Sequence, residues 1–162
     1  MNRRQWSTAF VKDTIAIVAL LEGGRLLLGH RHPKRRWYPD CWDLVGGHVE
    51  PGESPDQAAR RECREEIAVD LIDLHPIEVH LDDPALRAHA FVATSWTGRP
   101  TNAAPDEHDA IGWFTSAELP YLRLAHPSYL QWLTGLLGQE PLVHPSGQGP
   151  STPAASERAE TT

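Results

Sequence analysis

Five charged residues at fixed spacing are the part of this chain best suited to chemistry. Five residues separate Gly47 from Glu53, seven more precede Arg61-Glu62, and Glu65-Glu66 follow after Cys63 and Arg64. On a helix, Glu62, Glu65 and Glu66 stand at i, i+3 and i+4 and share one face. Carboxylates stacked in this way repel by about a few tenths of a kcal/mol per pair. A solvated surface tolerates that cost, and an ordinary exposed acidic helix would carry the same triplet. A hard divalent cation with oxygen ligands would instead turn the repulsion into binding. Gly46-Gly47 just upstream favours the second reading, because adjacent glycines allow unusual backbone angles and close approach of a ligand to the main chain.

The elements that must position these residues are legible. Ser54-Pro55-Asp56-Gln57 starts a helix, with a serine cap, proline at the first helical position and glutamine three after the cap. Ala58 to Ile67 are mostly good helix formers. Ala59, Cys63 and Ile67 form an apolar stripe beside the acidic one, suited to packing on a sheet, while the acidic face is left to solvent. Pro51-Gly52 supplies a turn before the cap. Strands are expected over 13–21 and 25–30, joined by Glu22-Gly23-Gly24 as a hairpin, and over 41–45, leading into a glycine loop. Further strands are expected over 69–74, 77–81, 88–96 and 111–114, with turns at 82–84 and 97–100 and a second helix over 128–137. Strands interrupted by one helix and closed by another suggest an α/β fold, a mixed sheet with helices on both faces.

The whole chain of 162 residues suits one domain over 13–138. Residues 1–12 form an N-terminal extension, and the Pro-, Ser- and Gly-rich stretch 139–162 reads as a disordered tail. A net charge of −7 argues against a nucleic-acid polymer as partner, although a local basic patch can still meet phosphates. No apolar run approaches membrane-spanning length, and Arg3-Arg4 are followed by no apolar signal core, so neither membrane insertion nor export is indicated. Two lone cysteines, Cys41 and Cys63, suit a reducing cytoplasm.

The stretch from Gly47 to Val69, GHVEPGESPDQAARRECREEIAV, resembles the Nudix box of hydrolases that cut a diphosphate bond next to a nucleoside or other group. It fills every charged position of that pattern and departs from it at Ala68, where the family usually has glycine. The resemblance covers about 13–137 and implies an α/β/α sandwich with a mixed central sheet. It implies Mg²⁺, or Mn²⁺, held by Glu62, Glu65, Glu66 and the Gly46 carbonyl, with Glu62 as base and Glu66 essential to turnover. Arg61 and Glu53 would orient those carboxylates. Family members often add a carboxylate from a loop before an aromatic-bearing strand. Asp106-Glu107-His108-Asp109 ahead of Ile111-Gly112-Trp113-Phe114 is similar, with Glu107 the first choice and Asp109 the next.

A diphosphate needs cationic partners, and arginine pairs phosphate oxygens bidentately. His30-Arg31-His32-Pro33-Lys34-Arg35-Arg36 offers Arg31, Arg35 and Arg36, unless the segment is only a solvated loop. Trp37 and Tyr38 either stack on a base or cap the core. His48 either meets phosphate or faces solvent, and His126 before Pro127 reads as structural. The substrate implied is a small nucleotide, first a nucleoside triphosphate (an oxidised one included), then ADP-ribose or a nucleotide sugar, to which Pro84 points unless Asp82-Asp83-Pro84 is a plain turn. A non-catalytic nucleotide sensor and an isopentenyl diphosphate isomerase share the fold; the latter needs a catalytic cysteine whose motif is missing around Cys41. A homodimer is compatible with all of these.

Overall fold

The computed structural model describes residues 13–139; the expected extension and tail lie outside the described residues, apart from Gln139. The strands are β1 (Asp13–Glu22), β2 (Arg25–Arg31), β3 (Trp42–Asp43), β4 (Val45–His48), β5 (Asp70–Leu71), β6 (His75–Ile77), β7 (Leu86–Ala93), β8 (Trp96–Thr97) and β9 (His108–Phe114). The helices are α1 (Pro55–Ile67) and α2 (Tyr129–Gly138).

β1 organises the molecule. Its residues are apolar at nearly every position, as a strand covered on both faces requires. Ala16, Val18 and Leu20 pack with Leu27 and Val45 against Ala58, Ala59, Cys63 and Ile67 of α1. Ile17 and Ala19 point the other way, with Leu26 and Leu28, toward Leu119, Tyr129 and Leu133. The period-2 alternation of one strand thus feeds both cores. β1 pairs parallel with β7 and antiparallel with β2 and β4, so the sheet is mixed and the sandwich has the expected layers. At the β1–β2 hairpin, Gly23 and Gly24 have φ of 56° and 72°, as a tight turn twisted to match its strands demands.

Five expectations need correction. Gly46-Gly47 is strand rather than loop: Gly46 lies opposite Ile17 and Gly47 opposite Ala16. A Cβ on Gly46 would come within 2.1 Å of the Ala16 carbonyl oxygen, so the glycine serves close approach of two strands. The strand at 41–45 is split at Leu44, whose N–H is taken by the Asp43 side chain at 2.9 Å. The strand over 88–96 ends at Ala93 because the Asp73 carboxylate accepts the N–H groups of Thr94 and Ser95 at 2.8 and 2.9 Å. Trp96–Thr97 consequently leaves the main sheet and pairs with a shortened β5. The strand expected at 77–81 forms earlier, at His75–Ile77.

Helix α1 begins as expected, with Gln57 Oε1 accepting the Ser54 N–H at 2.9 Å. It ends at Ala68, which adopts the left-handed conformation (φ 57°, ψ 38°). The Ala68 N–H reaches the Arg64 carbonyl at 3.2 Å and the Val69 N–H the Cys63 carbonyl at 3.3 Å, satisfying the last turn. Holding a Cβ there costs about 1–2 kcal/mol, partly offset by the extra chain entropy a glycine loses on folding. Ala68→Gly is therefore expected to raise the melting temperature by about 2–4 °C without changing turnover; a lower melting temperature in a calorimetric scan would contradict this account.

Candidate active site

Packing of α1 on β4 brings the acidic residues to the glycine pair. Glu66 is 3 % exposed, and its Oε2 accepts the Gly46 N–H at 3.2 Å. Glu62 lies over Gly47, where a Cβ would stand 2.3 Å from Glu62 Oε1, so the second glycine makes room for a carboxylate. The acidic face expected in solvent is therefore largely enclosed. Of the triplet only the Glu65 side chain, 59 % exposed, stands in water.

Arg61 joins these groups. Its Nε and Nη2 donate to Glu53 at 2.9 and 3.0 Å, and its Nη1 to Glu62 and Glu65 at 2.8 and 3.1 Å. Nη2 also reaches the His48 carbonyl at 3.0 Å, tying the helix to the end of β4. The hydrogen bonds to Glu53 lead in raising the Arg61 pKa, and the same bonds hold the Glu53 carboxyl below its usual range.

The remaining carboxylates are under electrostatic stress. Burial first, then the charges of Glu62 and Glu107, pushes the Glu66 pKa well up against the smaller pull of the Gly46 N–H. Burial also raises Glu62, and the Arg61 contact only partly offsets it. Among the described residues, no three His, Cys, Asp or Glu side chains form a closed ligand set. The Arg61 guanidinium takes Glu62 Oε1 and Glu65 Oε2. The donor set is nonetheless all hard oxygen, and Arg61 leaves Glu66 unpaired by any cation, which fits a divalent ion.

Glu107 precedes β9, and β9 pairs with β2, which carries the basic segment. That pairing sets Glu107 beside Arg35, with Nη2 3.4 Å from Oε2. Both line a cleft of about 400 Å³ together with Gly46, Gly47, Glu62, Glu65 and Arg61. His48 lines the same cleft with its side chain 69 % exposed, 3.9 Å from Asp13.

The basic segment divides its labour. Arg31 spends its donors on its own loop, reaching the Trp37 carbonyl at 2.8 Å and the Tyr38 carbonyl at 3.0 Å, with Asp43 at 3.5 Å. Arg36 lies over the Trp37 ring at 5.2 Å and is not among the residues lining the cleft. Arg31 and Arg35 both line the cleft, and of the two only the Arg35 guanidinium makes no bond to its own loop's carbonyls.

Sequence reasoning missed the far wall. Asp43, Asp83 and Tyr129 line the cleft with Ile15, Ile17, Leu44 and Leu86, and Trp37 stands at it 65 % exposed. The Tyr38 hydroxyl donates to Asp83 across 45 positions of sequence, and this bond joins burial in raising the tyrosine pKa to about 12. One signal was available: Asp43 is a lone charge in an apolar run leading into the glycines.

The NUDIX domain model matches residues 11–133. The chain belongs to the NUDIX domain family. It is similar to the oxidized purine nucleoside triphosphate hydrolase of Danio rerio, 30 % identical over 120 residues, covering 71 % of this chain and 74 % of that protein. Its structure resembles that of a MutT NUDIX hydrolase from Burkholderia pseudomallei with a TM-score of 0.61 and 31 % identity, covering 65 % of this chain and 84 % of the other. A shorter likeness, 35 % over 72 residues, joins it to the isopentenyl-diphosphate Delta-isomerase of Salmonella arizonae, over 44 % of this chain and 40 % of the isomerase.

In this Nudix pyrophosphohydrolase, burial of Glu66 alters what its replacement should do to stability. Glu66→Gln keeps the shape and an acceptor for Gly46 while removing a charge held in a nearly closed site. Metal-free Glu66→Gln is expected to melt higher than the metal-free parent near neutral pH, by a few degrees. A markedly lower melting point would show that the carboxylate is already compensated in the apo protein.

Proposed function

We propose that this Nudix hydrolase is a Mg²⁺- or Mn²⁺-dependent pyrophosphohydrolase of nucleoside triphosphates, oxidised purine nucleotides among them. One observation carries the reading. A single cleft of about 400 Å³, within the range for small-ligand sites, combines the acidic helix, the Arg35 guanidinium and an apolar wall with Trp37 beside it. Such a cleft suits a ligand with a polyphosphate and a flat base. The likeness to the Danio rerio hydrolase supports the triphosphate choice.

Glu62, Glu65, Glu66, Glu107 and the Gly46 carbonyl would hold the cation. When bound there, a divalent cation neutralises phosphate oxygens and lowers the pKa of the attacking water. Glu62, whose pKa burial raises, would take the water's proton. Arg61 and Glu53 hold Glu62 and Glu65 in register, as partners behind metal ligands commonly do. Arg35 pairs the phosphates, and exposed His48 borders them.

The isomerase reading fares worse. Cys41 is 3 % exposed, its thiol points to the Tyr38 carbonyl at 3.1 Å, and burial followed by the Asp43 charge raises its pKa. A thiol so placed is inert. A sensor would not need the glutamates kept intact. Both cysteines are free and buried, which supports a reducing, cytoplasmic setting. Among the described residues no helix is long and apolar enough to cross a membrane.

Phosphate and pyrophosphate release from a nucleotide panel tests the proposal directly. Hydrolysis should stop after metal stripping and return with Mg²⁺ or Mn²⁺, and Glu66→Gln should lower kcat by about 10²–10⁴. Full turnover in EDTA, or ADP-ribose cleaved in preference to every triphosphate, would refute it.

Substrate contact is tested separately. Arg35→Ala should raise KM by at least about 10-fold, since a charge-assisted hydrogen bond is worth about 1.5–3 kcal/mol. The rise should be larger for a triphosphate than for a diphosphate-linked sugar, and Arg36→Ala should leave KM near its parental value. Equal KM values across the series at fixed ionic strength would remove this segment from the substrate site.

A further inference from the structure

We infer that Asn102 is a positioning residue for Glu107: its side-chain amide closes the turn that delivers this carboxylate to the cleft lined by Glu62 and Glu65. The inference rests on the reading of Glu107 as a cation-holding group.

The turn is anchored on three sides. The Thr101 N–H donates to the Ile67 carbonyl at 3.1 Å and the Ala103 N–H to the Glu66 carbonyl at 2.9 Å. These are end carbonyls of α1, which a helix cannot satisfy internally. On the opposite side, the His32 N–H donates to the Glu107 carbonyl at 2.8 Å. The N–H groups of Glu107 and His108 both close on the Ala104 carbonyl, at 2.9 and 3.0 Å. The segment holding Glu107 is therefore hydrogen-bonded to the backbone of Glu66 itself and to the basic segment.

Asn102 spans this turn. Its Nδ2 donates to the His108 carbonyl at 2.6 Å. Only the nitrogen end can face a carbonyl, so the orientation of the amide follows from its chemistry. Its Oδ1 is buried without a hydrogen-bond partner among the described residues. His108 completes the arrangement. Its ring is 2 % exposed and fills the space above Gly29, where a Cβ would stand 2.6 Å from the ring. The ring so placed wedges the start of β9 against β2.

Glu107 needs such a fixture. Its side chain is 42 % exposed and Arg35 draws it from one side, yet it lines the same cleft as Glu62 and Glu65. Partners that orient metal ligands typically matter by 10–100-fold in metal affinity. The amide sets the turn, and the turn sets the carboxylate.

Mn²⁺ titration of the metal-stripped protein without nucleotide, with free Mn²⁺ followed by electron paramagnetic resonance, tests this. Asn102→Ala and Glu107→Gln should each weaken Mn²⁺ binding by about 10-fold or more. The double variant should bind no more weakly than Glu107→Gln alone, because placement of a missing carboxylate has no effect. At saturating Mg²⁺, KM for the nucleotide should stay at the parental value in Asn102→Ala. Parental Mn²⁺ affinity in Asn102→Ala, or losses that multiply in the double variant, would overturn the inference. If Asn102→Ala is unfolded by circular dichroism, Asn102→Asp keeps the size while replacing the N–H donor by oxygen, and parental affinity there overturns it equally. Loss of Mn²⁺ binding in Glu66→Gln but not in Glu107→Gln would reject the Asn102 role and leave the hydrolase reading standing; no Mn²⁺ binding by the parent would reject both.

Discussion

The arrangement around the cleft depends on one guanidinium. Arg61 donates to Glu53, Glu62, Glu65 and the His48 carbonyl at once. Only a planar, forked cation can do this, since lysine offers a point charge rather than fixed directions. Through these bonds the turn before α1, the helix itself and the end of β4 hold one another. The same cation tempers a group of carboxylates that would otherwise repel.

That hub needs the two glycines. Gly46 lets β4 approach β1 more closely than a Cβ allows, and Gly47 leaves the space that Glu62 occupies. The Gly46 N–H meanwhile supports Glu66, whose pKa burial pushes well up. A strand, two missing side chains and one arginine therefore concentrate negative charge in a confined volume. Enclosure of this kind makes each charge act more strongly than it would in water.

The basic segment shows how similar residues take different work. Arg31 braces a loop in which Tyr38 and Asp40 have positive φ of 49° and 57°, conformations that ordinary residues rarely adopt. Arg36 covers an aromatic ring, and Arg35 remains at the cleft. The brace also carries Tyr38 to Asp83, so the structure of the cleft wall and the placement of Arg35 at the cleft arise from the same short segment.

Local chemistry made much of this legible in the chain alone. Helix α1 and its serine start follow from short-range preferences and spacing, whereas its left-handed end falls on Ala68 against alanine's own preference. The apolar alternation of β1 and the acidic triplet follow from spacing as well. The family resemblance pointed to Arg61 beside Glu53, and to Glu107 as an outlying carboxylate. What spacing cannot express is depth and partnership. Glu65 and Glu66 are neighbours of one residue type, yet one stands in water and the other is closed in by β4. Arg31, Arg35 and Arg36 differ only in what the folded loop offers their donors. Asp43, Asp83 and Tyr129 meet at the cleft from distant parts of the chain. The breaks at Leu44 and Thr94 come from aspartates competing for backbone N–H groups. Helix spacing is decided within a few residues, whereas burial, desolvation and the choice among competing hydrogen-bond partners exist only once distant segments have packed.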